Sequence, residues 1–86
     1  MALVNIKQLT INGEIVNAYL CIIEATEQIM IAIPDVFWSI ELDVHMGSDD
    51  IKEELIMQLF AFVDEEAAIH IASNLTKWIV NDFKGD

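Results

Sequence analysis

The chain has 86 residues and carries 15 Asp and Glu against four Lys, with a formal net charge of −11 when both His are neutral. Yet 55% of its residues are hydrophobic and its mean hydropathy is +0.44. Disorder by composition is excluded, because disordered chains combine high charge with low hydrophobicity. The length excludes two domains, so one domain over residues 1–86 is expected. With no Arg and no basic cluster, direct nucleic-acid binding is disfavoured.

Cys21 is alone, which removes an intrachain disulfide and a thiolate zinc site. The opening MALVNIKQ lacks the basic and apolar regions of a signal peptide. Apolar runs such as Ile29 to Ile33 fall far short of the ~20 residues of a membrane helix. The expectation is a soluble, cytoplasmic protein without membrane contact, in the host cytoplasm if phage-encoded.

Residues 3–11 are rich in β-branched types and run into Asn12-Gly13, followed by a second such run over 14–25. Asn-Gly between two apolar runs predicts a hairpin, since a type I′ turn needs positive φ at both central residues. Thr26-Glu27 gives a weaker turn, and residues 28–33 form a short apolar strand. Pro34-Asp35 ends it, because Pro cannot donate to a ladder.

Over 38–46, Trp38, Ile40, Leu42, Val44 and Met46 alternate with Ser39, Glu41, Asp43 and His45. This period of two predicts a fourth strand with one wet face. Ser48-Asp49-Asp50 suits a helix N-cap, and Asp50 with Glu53 has capping-box-like spacing. Ile51, Leu55, Leu59 and Phe62 form one helical face. Extending that face reaches Glu65 and Glu66, while Ala68, Ile71, Ala72, Leu75, Trp78 and Ile79 run in another phase. Two helices are therefore predicted, about 49–63 and 65–84, with Asp64 capping the second and Lys84-Gly85 ending it. The order β-β-β-β-α-α predicts an α+β fold: an antiparallel sheet of three to four strands with two C-terminal helices packed on one face.

No catalytic residue, cofactor or metal is expected. Glu41, Asp43 and His45 share a predicted strand face, and Glu66 and His70 are one helical turn apart. Both groups read as solvated surface rather than ligand sets. Cys21 lies in an apolar strand, where a thiol is inert. Ser39, Ser48 and Ser73 lack a nucleophile-elbow context, and the three scattered glycines form no phosphate loop.

The acids are unevenly distributed. Ten of the fifteen fall between Asp35 and Glu66, with Lys52 the one base among them, leaving −9 there and −2 elsewhere. Caps and solubility account for each local cluster, but not for the shortage of Lys and Arg. Such a surface attracts basic partners and imitates the charge array of a duplex. The expected function is a small acidic inhibitor or immunity-type protein, of the kind found in viruses and mobile elements. It would dock on a basic, possibly nucleic-acid-binding, partner protein. Glu41, Asp43, Asp49, Asp50, Glu53 and Glu54 would make the electrostatic contacts, and Phe37 would be an apolar anchor.

The alternative is a non-catalytic structural or assembly protein working as a homo-oligomer through sheet edges or the last helix, with Trp78 and Phe83 as the contacts of a homodimer and the acids keeping an apolar chain soluble. Trp38 and Phe60 are assigned to the core. Met30, Met46 and Met57 are assigned as gap-fillers.

Overall fold

A computed structural model describes residues 3–81. Four strands are followed by two helices: β1 (Leu3–Ile11), β2 (Glu14–Ile23), β3 (Gln28–Ile33), β4 (Trp38–Asp43), α1 (Ser48–Leu59) and α2 (Glu65–Ile79). The fold is α+β, with one antiparallel sheet in the order β1-β2-β3-β4. The chain divides into two compact units, Met1–His45 with the sheet and Met46–Asp86 with the helices.

Asn12 and Gly13 take φ of 52° and 84°, as a type I′ turn requires. Ile11 thereby faces Glu14, and the register runs from there to Leu3 opposite Ile22. The next two connections differ in kind. Each is a single 3₁₀ turn, Glu24–Thr26 or Pro34–Val36, closed by one left-handed residue, Glu27 or Phe37. β2 therefore stops at Ile23, not at residue 25 as the apolar run suggests.

β4 also ends early. Its alternation holds through Asp43, but Val44 and Met46 are not in the strand. β3 begins at Gln28, which is already opposite Asp43, and Glu27 before it is left-handed, so the ladder stops there. The Val44 N–H turns instead to the Glu27 carbonyl at 3.0 Å.

The pleat gives the sheet one buried face: Leu9 and Ile11, Val16, Ala18 and Leu20, Ile29, Ile31 and Ile33, and Leu42. Burying each large aliphatic side chain there contributes about 1.5–3 kcal/mol. The opposite face is half open. Its cross-strand rows read Val4–Cys21–Met30–Glu41 and Ile6–Tyr19–Ala32–Ser39. They grade from apolar at β1 to acidic or polar at β4.

In the second unit, α1 and α2 pack on each other. α1 buries Ile51, Leu55 and Leu59, and α2 buries Ala68, Ile71, Ala72, Leu75, Thr76 and Ile79. The two-stripe pattern thus marks two helices. After Leu59 the backbone tightens, with Ala61 and Phe62 bonding to the Gln58 and Leu59 carbonyls. Phe60 itself keeps helical φ and ψ, but it lies about 100° round the helix from Leu59 and is 48% exposed, so it is not a core residue. Met57, at 66% exposed, is no gap-filler. The Asp64 carboxylate accepts the Ala67 N–H at 2.9 Å and starts α2. The expected stop at Lys84-Gly85 lies outside the described residues.

At α1 the cap is not where the sequence suggested. Gly47, in extended conformation, is the N-cap, and its carbonyl accepts the Ile51 N–H at 3.0 Å. Ser48, Asp49 and Asp50 are already helical, and no side-chain cap bond forms. Asp50 and Glu53 therefore make no capping box. Asp49 and Asp50 still lie in the first turn, where the macrodipole favours negative charge.

Candidate functional site

The β3–β4 hairpin gathers three of the residues singled out above. Pro34 opens its 3₁₀ turn, where a fixed φ suits the first position and no N–H is required. Phe37 closes the turn, donating its N–H to the Pro34 carbonyl at 3.0 Å. Its φ of 54° and ψ of 43° are left-handed, a region that disfavours bulky side chains. Its ring buries almost nothing, since the residue is 99% exposed. A strained, solvent-facing phenyl group contributes nothing evident to folding.

From Phe37 the chain enters β4. The pleat turns Ser39, Glu41 and Asp43 outward, all exposed, while Leu42 is buried on the other side. Glu41 and Asp43 are about 7 Å apart along the strand. Exposed Asp35 lies in the same hairpin tip. The hairpin thus presents one apolar side chain at its tip and acids at its tip and along its outer face.

His45 does not extend that face. Its N–H donates to Asp43 Oδ1 at 2.7 Å, and its Nε2 lies 3.5 Å from Glu27 Oε2. Both of those side chains are about 70% exposed, so the ion pair, formed only with protonated His, is screened and weak. Among the described residues, no group of three His, Cys, Asp or Glu side chains converges as a metal site.

The other expected contacts lie in the second unit. Asp49, Asp50 and Glu53 are exposed on α1 and Glu54 is half-buried. Spaced i, i+4, Asp49 with Glu53 and Asp50 with Glu54 form like-charged pairs on the helix surface, an unfavourable local arrangement. Glu66 and His70 line an open depression of about 340 Å³ with Asp64 and Ala67. Trp78 is half-buried beside the buried stripe of α2. Phe83 lies outside the described residues.

Exposed apolar side chains that composition alone did not locate are Val4, Ile6 and Ile15, on the outer face of β1 and β2. The turn at Asn12-Gly13 carries the signal. It sets which alternate residues of β1 face inward, and Val4 and Ile6 fall in the other set.

The family model described as YueH-like protein matches residues 5–81. The chain belongs to the YueH-like protein family. The match runs from β1 to just beyond α2, through all four strands and both helices. No curated protein and no solved structure gives a significant match to the chain. Among the described residues, no helix is long and apolar enough to cross a membrane.

Proposed function

We propose that this chain is a non-enzymatic binding module that docks an acidic surface on a basic partner protein, as an inhibitor or immunity-type protein does. The observation that carries this reading is the β3–β4 hairpin. It combines a fully exposed, left-handed Phe37 with outward-facing Glu41 and Asp43 on a chain of net charge −11. Backbone strain without a folding benefit is characteristic of residues held for a contact. Phe37 would insert into an apolar pocket of the partner, while Glu41 and Asp43 steer the encounter. Asp49, Asp50, Glu53 and Glu54 on α1 would supply electrostatic contacts of their own. A partner that normally grips nucleic acid has the matching basic surface.

The test is affinity capture from the native host with the full chain as bait. A basic protein should be retained in about 0.05 M salt and lost in about 0.5 M salt, where the Debye length is a few ångströms. Phe37→Ala combined with Glu41→Gln and Asp43→Asn should abolish capture while circular dichroism stays unchanged. Neutralising Asp49, Asp50, Glu53 and Glu54 should weaken it. Undiminished capture by both variants would overturn the proposal.

A further inference from the structure

We propose that the free edge of β1 pairs antiparallel with β1 of a second copy of this chain, joining two four-stranded sheets into one. The two edges of the sheet differ. β4 carries Glu41 and Asp43, and charged residues at an edge discourage strand addition. β1 is nine residues long and contains no acid, no Pro and no Gly. Its one ionisable side chain is Lys7, and over residues 3–23 Lys7 and Glu14 are the only ionisable acid–base charges, cancelling to zero. On a chain of net charge −11, this is a surface where two copies meet with little repulsion.

The turn also sets which backbone groups face that edge. Across a two-residue hairpin, Ile11 and Glu14 form a hydrogen-bonded pair, and such pairs recur at every second residue. The intervening residues Val4, Ile6, Gln8 and Thr10 point their N–H and C=O groups away from β2. Val4 and Ile6 also carry exposed aliphatic side chains, at 54% and 59%.

A twofold axis at Ile6 sets Ile6 opposite the partner's Ile6 and Val4 opposite the partner's Gln8. Lys7 then faces the partner's Asn5. An axis at Lys7 would instead oppose two lysines, which is destabilising. An axis at Gln8 would set Ile6 opposite the partner's Thr10, whereas the Ile6 axis pairs the exposed isoleucines, so the Ile6 register is the one assigned. The interface is isologous, so it closes at two copies rather than growing into a fibre.

This inference is independent of the acidic-surface reading, and salt separates the two. Partner capture weakens with salt, whereas screening of two like-charged chains leaves the dimer as tight or tighter. Sedimentation velocity of the full chain over a wide concentration range should show a monomer–dimer equilibrium. Ile6→Lys places a charge at the axis, and Ile6→Pro removes an edge-facing N–H that the sheet itself does not use. Each should raise the dissociation constant at least about tenfold, with the circular dichroism spectrum retained. Hydrogen exchange at the Val4, Ile6 and Gln8 amides should slow as wild-type concentration rises. Trp78→Glu should leave the dimer intact.

A wild-type chain that stays monomeric would overturn the proposal, leaving β1 as an acceptor for a strand of another protein. So would a dimer that survives both Ile6 variants with those amides still exchanging rapidly.

Discussion

Glu27 and Phe37 occupy the same position in two successive hairpins. Each follows one 3₁₀ turn, each has φ of 54°, and each returns its N–H to the first residue of that turn. Glu27 has a use there beyond the turn: its carbonyl accepts the Val44 N–H and its carboxylate meets His45. Phe37 has no comparable contact and is 99% exposed.

Phe37→Gly should therefore stabilise the chain by about 0.5–1 kcal/mol. The left-handed conformation costs a non-glycine residue about 1–2 kcal/mol, partly offset by the greater freedom of Gly in the unfolded chain. Urea denaturation measures the gain, and the proposed function requires the same variant to lose partner capture. Lower stability in Phe37→Gly would mean that the ring does support the fold.

The two helix starts respond differently to mutation. Asp64→Ala removes the carboxylate that accepts the Ala67 N–H and should cost about 1 kcal/mol. Ser48→Ala removes no cap bond, because Ser48 is already inside α1, and should change stability by less than about 0.5 kcal/mol. Paired denaturant midpoints test this. A larger loss at Ser48 than at Asp64 would contradict the cap assignment.

Thr76 lies in the buried stripe of α2 at 8% exposure, and its Oγ1 has no hydrogen-bond partner among the described residues. An unsatisfied buried hydroxyl costs about 1–3 kcal/mol relative to a paired one. Thr76→Val keeps the shape and the β-branch while removing that oxygen. It should raise stability by about 1 kcal/mol in thermal or chemical denaturation. A destabilised Val variant would show that the hydroxyl has a partner after all.

The elements that could be read from sequence are those with a local cause. Asn12-Gly13 specifies its turn through φ alone. Asp64, followed by two glutamates and a shifted apolar stripe, marks the break between helices. What escaped depends on partners. The alternation of β4 continues through Met46 in sequence, but Glu27, next to Gln28 in β3, is left-handed and ends the ladder. Three consecutive cap-type residues, Ser48 to Asp50, hid the fact that Gly47 caps α1 through its backbone. Phe60 is apolar like its neighbours, but its place about 100° round α1 from Leu59 puts it on the exposed side.

The candidate contacts show the same division. Glu41 and Asp43 follow from the pleat of β4. The left-handed backbone of Phe37 does not follow, since its residue type argues against that conformation. On β1, apolar residues occur at both odd and even positions, so its exposed set emerges only once Ile11 is placed opposite Glu14.

The meander order of the sheet has a kinetic consequence. Every strand pairs only with its neighbour in sequence, so each closure spans one short turn. Loop-closure entropy is then small at every step, which favours rapid folding for a β-sheet. During synthesis β1 and β2 emerge first, and the hairpin can zip before β3 leaves the ribosome. Each later strand adds to an edge already formed, and β4 with its acids arrives last. Just before that step both edges of the growing sheet, β1 and β3, lack acids; afterwards β1 is the acid-free edge.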